Sequence, residues 1–152
     1  LARGASCTRT SIASKWLRTN AASLWPSGTS IGVPRPPRFF AEGTSAAQII
    51  AATVAEFPDA LVVMGGDLND VPGSPTLMAL EDSGLDRVAR RLPTGGDATW
   101  TGFSGTFAFD HILHASRGGG TLIEGSVVVL RDGDGAYGGS DHAALRADFS
   151  HE

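Results

Sequence analysis

The segment Ala60–Gly66, ALVVMGG, limits the fold more than any other stretch of the chain. A short, apolar, β-branched run directly after a helical pattern reads as a strand buried on both faces. Such a strand needs one layer above it and another below. Just upstream, TSAAQIIAATVAEF places Ala47, Ile50, Val54 and Phe57 at helical spacing, with Thr44 or Ser45 as a cap and Pro58 past the end. This predicts a helix over 46–57. Downstream, SPTLMALEDSG (74–84) has Ser at the N-cap, Pro at the first helical position and Gly at the end, which predicts a short second helix. LDRVARRL (85–92) predicts a further helical turn or two. The segments 98–103, 107–115, 121–130 and 143–149 are short, β-branched or aromatic, and separated by glycine-rich turns, so each predicts a strand. The order predicts an α/β (α+β) protein, with mostly antiparallel sheet and helices on one face. No internal repeat is visible.

Residues 1–40 differ in kind. They hold Lys15 and five arginines with no acid, a charge of +6, whereas residues 41–152 carry -10 of the chain's net -4. The stretch is rich in Ser, Thr, Arg and Pro without sustained periodicity, and Pro34, Pro36 and Pro37 form a stiff connector. Little regular structure is expected there, and the organisation is read as a basic arm, 1–43, followed by a folded unit, 44–152. An Arg- and Ser-rich, acid-poor start is also how organellar transit peptides look. Because residue 1 is Leu rather than Met, the chain is read as a fragment, and no secretory signal or compartment is legible. Cys7 is alone, so no intramolecular disulfide can form, and no run of 18 apolar residues suggests a membrane span.

Chemistry-bearing residues lie where strands end. GGDLND (65–70) brings Asp67 and Asn69 out of the buried strand two residues apart, which alternation would aim the same way. An Asx turn reversing the chain is the structural alternative. FAFDHIL puts Asp110 inside an apolar strand, where a lone carboxylate costs several kcal/mol unless it is paired or hydrogen-bonded. GGSDHAAL offers a partner in His142, preceded by Asp141. A histidine oriented by a buried carboxylate has its tautomer fixed and its basicity raised.

GDLN, then a strand Asp, then Ser-Asp-His before the last strand resembles the endonuclease/exonuclease/phosphatase superfamily of metal-dependent phosphodiesterases similar to pancreatic deoxyribonuclease. The anchors are GGDLND (65–70), FDHIL (109–113) and GGSDHAALRADF (138–149). The resemblance implies the second half of a four-layer α/β/β/α sandwich. It also implies that Asp67 orients or deprotonates the attacking water, and that Asn69 beside it contacts the phosphoryl group or the metal shell. Asp141 would bind the divalent cation, His142 would contact the scissile phosphate, and Asp110 would hydrogen-bond that histidine. His111 receives no role. Mg²⁺ or Mn²⁺ is the implied cofactor, with Asp67, Asn69 and Asp141 near it. A phosphodiester, possibly within a nucleic acid, is the implied substrate, and the -10 body argues against tight nonspecific nucleic-acid binding by residues 41–152.

The family's first half, with its early Asn, its metal-binding Glu and an Asn-Thr-His-Leu-like strand, has no match here. Two expectations follow: weak or absent activity of the chain alone, because Mg²⁺ needs near-octahedral oxygen coordination, and an apolar sheet face left uncovered. The rival is a non-catalytic remnant or binding module of the same fold. GTSIG (28–32) matches G-x-S-x-G, and Ser30, Asp110 and His142 follow hydrolase order, yet VPRPP after it cannot continue a helix. Residues 131–141 carry acids on a glycine-rich loop but lack the full ligand pattern of a calcium loop.

Overall fold

The computed structural model describes residues 8–13, 38–132 and 137–151. Ser30 and Asp134 lie outside the described residues, and with them the esterase and calcium-loop alternatives. The helix predicted over 46–57 is longer at its start: α1 runs Arg38–Glu56. Thr44 and Ser45, expected as caps, therefore lie inside the helix, and Gly43 sits where it crosses Thr76, a Cβ there standing 2.9 Å from the Thr76 methyl. Ala47, Ile50 and Val54 face the core as their spacing predicts. Phe57 falls one residue past the helix and is 53% exposed.

The predicted strand is β2, Val63–Asp67, displaced a few residues from 60–66. Both of its faces are covered, and alternation explains how: Leu61 and Val63 pack into one apolar cluster, Val62 and Met64 into the other. The second helix, α2 (Pro75–Asp82), has the predicted punctuation, with the Ser74 hydroxyl accepting from Leu77 N–H at 3.3 Å and Gly84 at φ +97° beyond its end. LDRVARRL does not extend the helix. It forms strand β3 (Leu85–Arg87) and a 3-10 turn, Val88–Arg91. Leu85, Arg87, Val88 and Ala89 are all buried, so two-sided burial outweighs the segment's helical composition.

The strand predicted over 107–115 divides at Ala108–Phe109. β5 (Gly105–Phe107) closes a hairpin with β4 (Trp100–Gly102), while β6 (Asp110–Ala115) lies between β2 and β3, antiparallel to both. Every residue of β6 is buried. Leu113 and Ala115 meet α1, α2 and Leu85, whereas Ile112 meets Leu145, Ala147 and Phe149 of β9 (Ala144–His151). The prediction over 121–130 resolves into β7 (Thr121–Leu122) and β8 (Val128–Leu130), each antiparallel to β9. Within the stretch read as low in order, β1 (Thr8–Ala13) pairs antiparallel with the opposite edge of β9.

The result is a mixed α/β protein with antiparallel sheets and two helices over one face of the β2–β6–β3 sheet, consistent with part of a DNase-I-like sandwich. The expected uncovered apolar sheet face is not seen among the described residues. β9 places Leu145, Ala147 and Phe149 on its inner face, and Arg146, Asp148 and Ser150 on the other. Among the described residues the exposed large apolar side chains are Ile49, Phe57, Val71, Met78 and Phe103, on helices and loops. No helix among the described residues is long and apolar enough to cross a membrane.

Candidate active site

The β2–β6 ladder places Asp67 directly opposite Asp110. Gly65 lets the two strands close up, since a Cβ there would stand 3.3 Å from the His111 carbonyl oxygen. Two carboxylates facing each other across a ladder repel, so their neighbours must supply compensating donors. Asp110 is 4% exposed and accepts a hydrogen bond from the His142 ring, with Nδ1 at 2.7 Å from Oδ2. Asp67 accepts from the Asn69 backbone N–H at 2.9 Å, and the Asn69 amide nitrogen stands 3.4 Å from its other oxygen. The Asx turn considered as the structural alternative is therefore present, and it orients Asp67. Strand alternation does not align Asn69, because β2 ends at Asp67 and Asn69 turns the chain in the left-handed region at φ +49°.

One potential ligand atom each from Asp67, Asp110 and His142 lies within 4.8 Å of the others. Two carboxylates and an imidazole are a donor set that can hold a divalent cation. Asp141 is exposed beside His142 on the turn before β9, and Asn69 is exposed beside Asp67. The structure thus gathers Asp67, Asp110 and His142, with Asn69 on Asp67, whereas the Asp141 carboxylate, expected as a metal ligand, is not among the clustered ligand atoms and Asp110 and His142 are. Sequence reasoning missed Thr99, which is fully buried and whose hydroxyl accepts from Phe109 and Asp110 N–H at 3.1 and 3.0 Å. No motif singles out a threonine in a β-patterned run. Beside it, Trp100 bridges His142 in antiparallel register and joins Phe107 and Phe109 in an aromatic group, with centroids 5.3–6.2 Å apart.

His111, left without a role on sequence grounds, points to the other face of β6, and its Nε2–H donates to the Asp70 carbonyl at 2.9 Å. It ties the loop carrying Asp67 and Asn69 to the central strand. Burial pushes His111 below the ordinary imidazole value of about 6.5, outweighing the Asp70 bond; burial likewise lowers His114. The unfolded chain therefore binds protons at these positions more readily than the folded one. Their contribution to stability is complete above about pH 6.5 and is lost as pH falls toward the lowered folded values. Urea midpoints should be lower at pH 5.5 than at pH 7.5, and His111→Gln with His114→Gln should flatten that slope. An unchanged slope in the double variant would count against this account.

A partly DNase-I-like sandwich with an acid, acid and imidazole cluster at the ends of its central strands defines a broad class of protein. No protein-family model and no curated protein matches the chain. Solved structures do. D. rerio TDP2 (tyrosyl-DNA phosphodiesterase 2) humanized by 14 mutations is 20% identical, with a TM-score of 0.50 over 76% of this chain and 51% of that one. TDP2 from C. elegans is 22% identical, with a TM-score of 0.53 over 74% of this chain and 37% of that one. These likenesses are of fold, and this chain spans about half or less of the structures it matches.

Proposed function

We propose that this chain carries one half of the active site of a metal-dependent phosphodiester hydrolase. The observation that carries the reading is the facing pair Asp67 and Asp110, with His142 hydrogen-bonded to the buried member. A fold without such chemistry has no reason to set two acids opposite each other at the ends of its central strands, since like charges in that position destabilise the sheet. The similarity in fold to TDP2, whose name describes a phosphodiesterase acting on DNA-linked tyrosine, supports the same reading.

With its Nδ1–H given to Asp110, His142 turns Nε2 toward the phosphoryl oxygens, and when Nε2 also carries a proton it is a preorganised donor there, worth a few kcal/mol. Asp67, oriented by the Asn69 N–H, positions or deprotonates the attacking water. Asn69 and Asp141 complete the polar rim toward the phosphoryl group and the cation. When bound, Mg²⁺ or Mn²⁺ supplies stabilisation of charge on the nonbridging and leaving oxygens.

The chain alone is expected to turn over weakly or not at all, and to bind Mn²⁺ loosely. In an NMR titration, millimolar Mn²⁺ should broaden the signals of Asp67, Asn69 and His142 selectively, and Asp67→Ala should weaken that effect about tenfold or more, one charged ligand being lost. Uniform broadening would sink the metal site. Mg²⁺-dependent cleavage of a p-nitrophenyl phosphodiester by the isolated chain, abolished in Asp141→Ala, would overturn the expected inactivity. If a fusion supplying the family's first half binds Mn²⁺ and still cleaves nothing, the remnant reading prevails.

A further inference from the structure

Asp110 and His142 meet through their side chains, yet β6 and β9 pack face to face without hydrogen-bonding to each other. Asp110 opens β6 in one sheet, and His142 stands two residues before β9 in another. A 2.7 Å contact between groups 32 residues apart needs something rigid to fix the distance. Thr99, one residue before β4, touches both sides. Its carbonyl accepts Ala143 N–H at 2.7 Å, beside His142. Its hydroxyl accepts the N–H groups of Phe109 and Asp110, and its own N–H donates to Phe107 carbonyl at 2.9 Å. The next residue, Trp100, continues the link by bridging His142.

The hydroxyl matters because of where the chain breaks. Between β5 and β6 the backbone leaves the hairpin for the central sheet, and the Phe109 and Asp110 N–H groups at that break both turn to Thr99 Oγ1. Without that oxygen one buried and one half-buried donor lose their acceptor, and the backbone at Asp110 would shift to find others. A β-branched side chain holds its oxygen in one direction, which suits Thr to the task. We propose that Thr99 is the positioning residue that sets the spacing of Asp110 and His142. The inference rests on reading those two as a working pair, but its test reads geometry rather than turnover.

The test is NMR of the full chain with ¹⁵N-labelled histidine. His142 in the parent chain should show the Nδ1-protonated tautomer and a low-field, slowly exchanging Nδ1–H. In Thr99→Val that proton should exchange about tenfold faster or more, as expected when a short charge-assisted hydrogen bond is lengthened. The Nε2–H of His111, held by Asp70 on the other face of β6, should be unmoved. Thr99→Ser should restore His142, and Thr101→Val, which removes an exposed hydroxyl from the same hairpin, should leave it unchanged. The proposal fails if Thr99→Val keeps the parent His142 signals, or if Thr99→Ser does not restore them. It also fails if Thr99→Val loses the His111 signal or unfolds, since the hydroxyl would then hold the whole fold rather than the pair. An absence of phosphodiesterase activity would leave all these signals as they are, so the two readings fall separately.

Discussion

Phe149→Ala is expected to remove about 3–5 kcal/mol of stability, the usual cost of deleting a fully buried phenyl ring. Phe149 is completely buried on the inner face of β9, in the cluster formed with Val88, Ile112, Leu145 and Ala147. Its ring also packs against His114, centroids 5.1 Å apart, so it joins β9 to the central strand β6 from which Asp110 projects. A domain of this size holds only about 5–15 kcal/mol in total. The loss should therefore lower the urea midpoint by about a fifth of its parent value or more. Phe103→Ala is the matched control: Phe103 is fully exposed at the turn between β4 and β5, and its removal should leave the midpoint where it was. Equal effects from the two substitutions would mean that the two sheets are not held together as described.

On the proposed function, Asp110→Ala and His142→Ala should each lower metal-dependent phosphodiester hydrolysis by about 10²–10³-fold, the effect of losing one preorganised group. The measurement belongs in a fusion that supplies the family's first half. Two features make the pair act as a unit. The carboxylate is almost wholly buried and accepts from Nδ1, and that single bond determines which ring nitrogen faces outward. Once either member is gone the other has little left to contribute, so the double variant should be about as slow as either single one. Multiplying losses would instead show two independent contributions. Leu77 offers a contrast on the helix side: it is fully buried against α1 and far from the pair in the chain, so substituting it should cost stability without this coupling.

The candidate site is legible because its residues break local rules. An aspartate in an apolar strand, an Asp-x-Asn leaving a buried run and a Ser-Asp-His before the last strand each need an explanation that local structure does not supply. Thr99 breaks no rule, since threonine suits a strand, and its importance lies in hydrogen bonds to residues 10 and 11 positions away. His111 was equally silent, because a histidine beside Asp110 gives no sign of which carbonyl its ring will meet. The length of α1 was hidden by Gly43, a residue that lowers helix propensity and that serves here to let two helices approach.

By itself the sequence determined which segments are apolar on one side or two. That patterning marks α2 with its Ser74 cap, the two-sided burial of the run through Val63, and the presence of a strand at β9. It also determined the residues whose burial demands partners, since desolvating a carboxylate is costly wherever it occurs. Tertiary structure decided the rest. LDRVARRL became a strand and a 3-10 turn because burying both sides of it outweighed a helical preference of a few tenths of a kcal/mol per residue. FAFDHILHA broke between two sheets because Phe107 pairs with Trp100 while Asp110 pairs with Asp67. The meeting of Asp110 with His142 was decided last, by packing between sheets. A pattern of period two can say which way a side chain points, and only the packed sheets decide what it finds there.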